Sequence, residues 1–398
     1  MPSTTPSDIL IIGAGIAGAS VARFIGARAT TGARASVVLL ERESQPGYHS
    51  TGRSAALFTE TYGTDSTRAL TVASRAFMST PPPGFTEHPL LTPRGVLLTG
   101  ADDRRETLEE ALRTFRALVP SVRALDGAEA CRMVPVLRPA YARHAVLEPD
   151  AMDIDVHAVH RGYLREAAAS GTRLVCDAEV RAIERVAGAW EVDTPAGRFR
   201  APVLINAAGA WADTIAGLAG LPPLGIQPCR RTAFTFDAPP DPAMSAWPMV
   251  IDADEAFYFK PDAGRLLGSL ADETPSEPCD ARPEELDIAI AVDRIETATT
   301  LSIRRLVSSW AGLRCFAPDR CLIAGFDPAA DGFLWLAGQG GYGIQTSPAM
   351  GMIGAALASG DPFPESVAAF GVSPADLAPG RFRQQPSGAG MRPSAPPG

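Results

Sequence analysis

A glycine-rich turn near the start of the chain constrains the fold most. An apolar run at residues 8–12 is followed by Gly13-Ala14-Gly15-Ile16-Ala17-Gly18, and a second apolar run at residues 36–40 ends in Glu41. Buried parallel strands have such apolar runs, and the glycines let a helix N-terminus approach a pyrophosphate while the acid accepts hydrogen bonds from a ribose. The pattern predicts a β-α-β unit with a bound dinucleotide, and the alternative is a tight turn that binds nothing.

Composition narrows the class of protein and its partners. The chain has 398 residues, of which 46% are hydrophobic and 20% charged, so we expect two packed domains. A net charge of −9 argues against nucleic acid as a partner, because phosphate binding needs surplus Lys and Arg. No apolar run reaches the length of a membrane span. We expect no stable membrane insertion and a cytoplasmic location, with peripheral contact to the inner face of a membrane as an alternative.

Neither the cysteines nor the histidines form a metal-ligating pattern. The six cysteines are scattered without a Cys-x-x-Cys pair, which is typical of reduced thiols and predicts no zinc site. His157 and His160 are three residues apart on a predicted helix. Such pairs arise readily beside a core stripe, so we interpret both as structural and predict no metal.

Hydrophobic periodicity predicts alternating helices and strands along the rest of the chain. The predicted helices cover residues 68–78, 103–117, 156–169 (with Asp155 as N-cap), 284–297 and 347–357. The predicted strands cover residues 203–205, 231–236, 256–260 and 333–337, with a β-meander over 173–199. Residues 1–7 and 378–398 are predicted to be disordered tails.

The loop after Glu41 distinguishes between kinds of dinucleotide-binding protein. A nicotinamide-binding domain would continue into another regular βα unit, whereas here a Gly- and Ser-rich loop follows at residues 47–56. This loop and the other motifs, in order, resemble the D-amino-acid oxidase (DAO) superfamily of FAD-dependent oxidoreductases, and within it most closely the bacterial D-arginine dehydrogenases. The six motifs are residues 13–18, 41–42, 50–56, 206–209, 310–314 and 338–345.

The resemblance implies an α/β fold with two interleaved domains. A Rossmann-like FAD-binding domain, with the βαβ unit and the β-meander, would comprise residues 8–57, 147–222 and 310–372. An α+β substrate domain built on an antiparallel sheet would comprise residues 58–146 and 223–309. Relatives with covalent flavin hold it through a cysteine, and the matching position here is Gly312 rather than Cys315, so the FAD is expected to be non-covalent.

The resemblance also implies which residues hold the cofactor. The glycines at 340–343 precede a helix whose positive end would stabilise a reduced flavin, although glycine clusters are also common in plain turns. The implied FAD-binding residues are Gly13, Gly15, Ile16, Ala17, Gly18, Glu41, Arg42, Ser50, Thr51, Gly52, Arg53, Ser54, Ala55, Val180, Ala208, Gly209, Gly340, Gly341, Tyr342, Gly343, Ile344 and Gln345.

Two arginines carry the prediction of an amino-acid substrate. A bidentate arginine is the usual partner of a carboxylate, and Arg231 and Arg314 match the arginines that bind the substrate carboxylate in the resembled enzymes. Tyr62 and Tyr258 match two substrate-facing tyrosines, and Gly341 matches a glycine whose carbonyl accepts a hydrogen bond from the substrate amine.

Two positions depart from the D-arginine dehydrogenases. Val96 replaces the glutamate that pairs with the substrate guanidinium, and Leu57 replaces a histidine near the amine. An unpaired buried guanidinium is costly. The substitutions therefore predict a preference for neutral or apolar side chains over D-arginine.

The predicted activity is FAD-dependent oxidative deamination of a D-amino acid to an imine, and then to a 2-oxo acid and ammonia. The electron acceptor is expected to be a quinone or carrier protein, because leucines occupy the position of a lysine that promotes oxygen reactivity in related oxidases. Lys260, the only lysine, lies too early in its strand for that role, and it marks either chance or a need for a compact charge. Alternatives are a D-arginine dehydrogenase proper, an oxidase or tailoring enzyme on a modified amino acid, and a non-catalytic FAD-binding redox sensor.

Overall fold

A six-stranded sheet organises the cofactor half of the molecule, as seen in a computed structural model that describes residues 4–28, 35–238 and 240–383. Neighbouring strands are parallel except for the last pair, which is antiparallel. The strands at residues 9–12 and 37–40 are buried along their whole length, as the apolar runs predict. In sheet order the strands are Arg173–Val175, Val37–Leu40, Ile9–Ile12, Val203–Asn206, Phe333–Ala337 and Ile323–Phe326.

Three helices cover one face of this sheet. Ile16–Arg28 packs against both Val156–Ala169 and Ser347–Ser359. The second of these begins where the sequence predicts, because the Asp155 side chain accepts a hydrogen bond from the backbone N–H of Ala158 at 2.8 Å. The third ends at Gly360, whose φ of 70° is the left-handed conformation that favours glycine.

A four-stranded sheet stands beside the parallel one. It contains Thr4–Pro6, Gly197–Ala201, Ala189–Thr194 and Ala182–Val186, in that order. The last three form the predicted meander, but its predicted start was wrong. Arg173–Val175 instead joins the parallel sheet beside Val37–Leu40, as the return strand of a crossover through the preceding helix.

The predicted disordered tails are partly ordered. Thr4–Pro6 pairs in parallel with residues 198–200, and Pro379–Phe382 forms a 3₁₀ helix. The Arg381 side chain forms an ion pair with Asp319 at 2.7 Å. The prediction of disorder was therefore wrong for these two segments. Residues distant in sequence pair with the backbone of Thr4–Pro6 and with the charge of Arg381. Residues 1–3 and 384–398 lie outside the described residues.

A second, larger sheet forms the other half of the molecule. Its pairs are antiparallel apart from the parallel pair of residues 249–252 with 96–100. A ninth strand, Leu306–Phe316, pairs with Gln227–Phe236 off the main path. In sheet order the other strands are Thr274–Pro275, Gln227–Phe236, Arg265–Ser269, Tyr258–Asp262, Met249–Asp252, Val96–Gly100, His144–Glu148 and Arg123–Asp126.

Short elements connect the two halves. A three-stranded sheet contains Leu57–Phe58, Met152–Ile154 and Leu91–Pro93. The remaining helices are Asp65–Ser79, Arg105–Leu118, Gly127–Met133, Ala212–Leu218, Glu285–Ala298, Glu365–Ala368 and Pro374–Leu377, with 3₁₀ turns at Asp102–Arg104, Gly209–Trp211 and Met244–Ala246. In the part of the chain that the structure describes, no helix has both the length and the apolar content that crossing a bilayer requires.

Candidate cofactor and substrate site

The first glycine turn is shaped by close backbone contacts. Gly13 has a φ of 99°, and a Cβ there would lie 2.5 Å from the Ala207 carbonyl oxygen. A Cβ at Gly18 would lie 1.9 Å from the Gly13 carbonyl oxygen, so this glycine seats the helix on the strand. Only glycine fits at either position, and the helix N-terminus is thereby held at the carboxyl end of the central strand.

Two side chains hold the turn from the other side. The Glu41 carboxylate accepts hydrogen bonds from the backbone N–H groups of Ala14 at 3.0 Å and Glu43 at 3.1 Å, while the Thr51 hydroxyl accepts one from Ile16 N–H at 3.0 Å. Burial raises the pKa of Glu41, although those two backbone N–H groups oppose the shift. The acid thus orders the turn and also lines the cavity beside it.

Aromatic and charged side chains close the far end of this cavity. The Arg42 guanidinium lies 4.6 Å from the centre of the Trp211 ring and forms an ion pair with Glu179 at 2.9 Å. The His49 ring lies 4.8 Å from the same indole. The sequence predicted Arg42 as a cofactor residue, but the contributions of Trp211, Glu179 and His49 were missed. The signal available for Trp211 was an indole in the motif that follows Asn206.

The Gly- and Ser-rich loop is fastened to the strand Leu306–Phe316. Ser50 donates a hydrogen bond to the Leu313 carbonyl at 2.7 Å, and Arg53 donates one to the Ala311 carbonyl at 3.0 Å. Trp310 returns a hydrogen bond from its indole N–H to the Arg53 carbonyl at 3.0 Å. The loop therefore forms one fixed wall of the cavity, although it lacks regular structure of its own.

A second glycine turn lies opposite the loop. Gly340 has a φ of 51° and donates its N–H to the Cys315 carbonyl at 2.8 Å. A Cβ at Gly341 would lie 3.0 Å from the Arg314 guanidinium carbon, so the turn leaves room beside that side chain. Burial raises the pKa of the Cys315 thiol to about 12, which keeps it protonated and unreactive at neutral pH.

Three connected cavities run through the molecule. The first chamber lies beside Glu41 and Trp211, and the middle chamber lies between the two glycine turns. The first and middle chambers share Gly15, Ser50, Thr51, Ala207 and Gly209. The middle chamber shares Ser54, Ala55, Arg231, Tyr258, Arg314 and Gly341 with a third cavity, the outer cleft.

Most of the predicted cofactor residues face these chambers. Gly13, Gly15, Glu41, Arg42, Ser50, Thr51, Val180, Ala208 and Gly209 line the first chamber. Ile16, Ala17, Arg53, Ser54, Ala55, Gly340, Gly341, Gly343 and Ile344 line the middle one.

Four predicted cofactor residues have other surroundings. Gly18 and Gly52 are needed for backbone packing, since a Cβ at Gly52 would lie 2.6 Å from the Gly47 carbonyl oxygen. Tyr342 and Gln345 line the outer cleft. The Gln345 amide donates a hydrogen bond to the Thr71 hydroxyl at 2.9 Å, so the protein itself uses that side chain.

The strand pairing brings the two predicted carboxylate-binding arginines together. Arg231 lies directly opposite Gly312 on the neighbouring strand Leu306–Phe316. Arg314 is two residues after Gly312 on that strand, so the side chains of Arg231 and Arg314 lie on one face of the sheet. Arg314 donates a hydrogen bond to the Tyr62 hydroxyl at 3.0 Å. Burial and then the neighbouring Arg314 lower the pKa of Arg231. Two buried guanidinium groups on one face favour an anion between them.

Apolar side chains line the outer cleft away from the arginines. Val96, which is 7% exposed, lies there with Leu57, Leu98, Met249 and Ile251. Tyr62 and Tyr258 line the same cleft, and the Tyr62 ring packs edge-on against Tyr342 at 4.9 Å. The two residues that depart from the D-arginine dehydrogenases therefore lie in one cavity with the arginines.

A buried acid beside this wall was missed by the sequence analysis. Glu148 is 3% exposed and pairs directly with Val96 across the sheet. Its carboxylate accepts hydrogen bonds from Thr59 at 2.7 Å and Thr61 at 2.6 Å. The available signal was the acid that closes the apolar run at residues 145–147, the same pattern that marked Glu41.

Lys260 and His160 both have structural partners. Lys260 is 5% exposed and forms an ion pair with Asp153 at 2.6 Å, so its charge is used outside the chambers. The His160 Nε2 lies 2.8 Å from the Ala14 carbonyl oxygen, behind the first glycine turn. Within residues 4–28, 35–238 and 240–383, no group of three potential metal ligands is found.

The parallel sheet, the glycine turns and the chambers beside them are typical of a dinucleotide-binding protein. The sequence pattern of the family described as "FAD dependent oxidoreductase" (DAO) matches residues 8–357, and the chain belongs to this family. Gly15, Gly340, Gly341 and Gly343 line the middle chamber with backbone alone, which fits the FAD that the family uses.

Known relatives resemble the chain at low identity. It is 28% identical over 168 residues to FAD-dependent oxidoreductase domain-containing protein 1 of Bos taurus, an alignment that covers 37% of this chain and only 34% of that protein. It is 24% identical over 358 residues to glycine oxidase of Geobacillus kaustophilus, covering 88% of this chain and 92% of the relative.

Solved structures share the fold. The crystal structure of that glycine oxidase has a TM-score of 0.79 and covers 92% of this chain and 98% of its own, at 24% identity. The structure of L-proline dehydrogenase from P. horikoshii has a TM-score of 0.80, covering 96% and 99% at 21% identity. The α/β fold inferred from the motifs is thereby confirmed.

Proposed function

We propose that the protein is a D-amino-acid dehydrogenase, which converts a D-amino acid to an imine that water then hydrolyses to a 2-oxo acid and ammonia. The observation that carries this proposal is the convergence of Arg231 and Arg314 where the middle chamber opens into the outer cleft. A carboxylate held there would bring its α-carbon to the boundary between cofactor and substrate spaces. The paired cations also argue against a non-catalytic redox sensor, which has no need of them.

The proposed roles follow from the contacts of each residue. The residues that line the first and middle chambers would hold FAD, which when bound would supply the acceptor for a hydride from the substrate α-carbon. Arg314, oriented by the Tyr62 hydroxyl, and Arg231 would hold the carboxylate in a bidentate manner. Tyr258 and the Gly341 carbonyl would orient the amine. The protein's contribution to catalysis is then chiefly alignment and electrostatic stabilisation.

Similarity to two amino-acid oxidoreductases supports an amino-acid substrate. Glycine oxidase and L-proline dehydrogenase both act on amino acids. The D configuration is supported by the motif resemblance to the D-arginine dehydrogenases, in particular by the positions of Tyr62, Tyr258 and the two arginines.

We further propose that neutral or apolar side chains are preferred to D-arginine. Leu57 and Val96 supply apolar surface in the outer cleft. Glu148 does not restore the missing partner, because both of its carboxylate oxygens accept hydrogen bonds from protein groups. A guanidinium that enters the part of the cleft beside Val96 and Leu57 would lose its hydration against apolar surface. Among the acids that line the cleft, Glu273 is paired with Arg231 and Arg320, and Glu255 is exposed.

The proposed domains separate cofactor binding from substrate binding in the same way. We propose that residues 8–57, 147–222 and 310–372 bind FAD and that residues 58–146 and 223–309 bind substrate. Three of these boundaries fall within strands, Leu57–Phe58, His144–Glu148 and Leu306–Phe316. The last two strands belong to the larger sheet and carry residues from it toward the chambers.

A panel of D- and L-amino acids tests the proposal. The FAD-loaded protein is mixed with each amino acid and an artificial electron-accepting dye, and dye reduction is followed. We expect reduction with neutral D-amino acids, weaker reduction with D-arginine, and none with the L-enantiomers. Reduction by L- but not D-amino acids would contradict the stereochemical proposal, and no reduction by any amino acid would contradict the substrate class.

A further inference from the structure

Glu148 is a buried carboxylate without a cationic partner among the described residues. It is 3% exposed, and burial raises its pKa. One oxygen accepts the hydroxyl protons of Thr59 and Thr61, at 2.7 and 2.6 Å. The other accepts the backbone N–H of Glu60 at 3.2 Å. Since three donors surround it, the carboxylate is satisfied by hydrogen bonds alone.

The threonines connect this acid to the outer cleft. Both Thr59 and Thr61 line the cleft, whereas Glu148 lies behind them. A hydroxyl has one proton and two lone pairs, so each threonine that donates to Glu148 has only lone pairs left for the cleft. We call Thr59, Thr61 and Glu148 the acceptor shelf, because it offers hydrogen-bond acceptors polarised by a buried acid.

The acceptor shelf lies at the side-chain end of the cleft. Arg231, Arg314 and Gly341 line both the middle chamber and the outer cleft, and so mark the end where the cofactor would meet the α-carbon. Thr59 and Thr61 line only the outer cleft. Val96, directly opposite Glu148 on the neighbouring strand, also lines only that part. The shelf is therefore placed to contact the end of a substrate side chain rather than its amine.

We propose that the acceptor shelf selects substrates whose side chain ends in a neutral hydrogen-bond donor, such as a carboxamide or a hydroxyl, over apolar side chains of the same size. This inference rests on the proposed function and specifies its substrate class. A neutral donor fits because it needs only a lone pair of a threonine oxygen. A larger cation would need the carboxylate itself, which the threonines cover.

Substrate pairs of equal shape isolate this effect. D-Asparagine and D-leucine differ by a terminal carboxamide, as D-threonine and D-valine differ by a hydroxyl. A hydrogen bond to a polarised acceptor corresponds to about tenfold in kcat/KM. We expect the wild-type enzyme to favour the donor-bearing member of each pair by about that factor, mainly through KM, because contacts remote from the α-carbon stabilise ground and transition states alike.

Variants of one threonine complete the test. T61V removes the hydroxyl and keeps the shape, and its D-asparagine to D-leucine ratio is expected to fall toward one. T61S keeps the hydroxyl and should retain the wild-type ratio. Using the ratio cancels any general loss of activity, and flavin absorbance reports whether each variant retains FAD.

Two results would overturn the inference while leaving the proposed function intact. One is a wild-type ratio at or below one in both substrate pairs, which needs no variant. The other is a ratio that T61V leaves unchanged. If no amino acid reduces the dye at all, the proposed function fails instead, so the two failures are distinguishable.

Discussion

Val96 and Glu148 lie directly opposite each other on neighbouring antiparallel strands, with their side chains on the same face of the sheet. The cleft wall therefore has the apolar residue Val96 at the position where the D-arginine dehydrogenases are expected to have an acid. The acid Glu148 lies one strand away and is covered by threonines. We propose that substrate selection at this end depends on which of the two neighbouring positions carries a carboxylate exposed to the cleft.

V96E should increase activity on D-arginine. A carboxylate at position 96 would face the cleft and pair with a guanidinium, but it would lie roughly 5 Å from Glu148, where like charges destabilise each other. The double variant V96E/E148Q removes that repulsion. We expect kcat/KM for D-arginine to rise by about tenfold from wild type to V96E, which corresponds to the free energy of one charged hydrogen bond. It should rise further in the double variant.

Activity on D-leucine should change in the opposite order across the same variants, since a buried carboxylate facing an apolar chain lacks a partner. E148Q alone is the matched control. A wild-type enzyme that prefers D-arginine to every neutral D-amino acid would show that another group serves the guanidinium.

R314M should abolish most activity with FAD still bound. A desolvated contact to the substrate carboxylate is worth ~2 to 5 kcal/mol, which corresponds to a fall in kcat/KM of roughly 30-fold to several thousand-fold. R314K keeps the positive charge but lacks the planar guanidinium that binds a carboxylate through two hydrogen bonds, so it should recover only part of the lost activity. R105M, at a side chain that is 65% exposed, is the surface control, and equal rates for R314M and R105M would remove Arg314 from the site.

Acid denaturation should release intact FAD from a yellow protein. Cys315 is among the residues that line the middle chamber, but burial raises the pKa of its thiol to about 12, which leaves almost no nucleophilic thiolate at neutral pH. We expect all flavin absorbance in the supernatant after precipitation. Flavin that stays with the precipitate would mean a covalent link, and mass spectrometry of C315S would then show whether this sulfur forms it.

Oxygen should be a poor electron acceptor. Lys260 is engaged by Asp153, and Leu266 and Leu267 are buried where related oxidases have a lysine. Without a positive charge placed to stabilise superoxide, transfer to oxygen should be slow. Peroxide formed in air is measured against dye reduction with the same substrate, and one peroxide per turnover at the dye-coupled rate would contradict the assignment as a dehydrogenase.

Stability should fall in mild acid because of His160. Burial lowers the pKa of this histidine, so below the usual imidazole value of about 6.5 the unfolded chain binds a proton that the folded chain excludes. Each pH unit in that window costs up to ~1.4 kcal/mol of unfolding free energy. H160Q should show a shallower loss than wild type between pH 7 and pH 5.5 in denaturant titrations.

The surface control is H88Q, which should leave the pH dependence unchanged because His88 is exposed and lies outside the helix of His160, whereas the charge of His157 itself helps to lower the pKa of His160. Identical slopes for wild type and H160Q would show that His160 does not bind protons differently in the two states.

Features set by local spacing could be predicted from the sequence. The turn at residues 13–18 and the N-cap Asp155 depend on neighbours within a few residues. The pairing of Thr4–Pro6 with residues 198–200 could not be predicted, because the partner is nearly two hundred residues away. The position of Glu148 after an apolar run was a local signal, but its contacts with Thr59 and Thr61 could not be predicted, because those threonines are more than eighty residues away.

Within the larger sheet, three strands separate the pair that carries the arginines from the pair that carries Val96 and Glu148. The region that would position the reacting carbon and the region that would read the side chain are thus encoded in different stretches of sequence. We expect mutations on the strands of Val96 and Glu148 to change substrate preference while the strands of the two arginines preserve the reaction geometry. A protein built in this way can acquire new substrates in small evolutionary steps, and directed evolution of this chain should concentrate on residues 96–100 and 144–148.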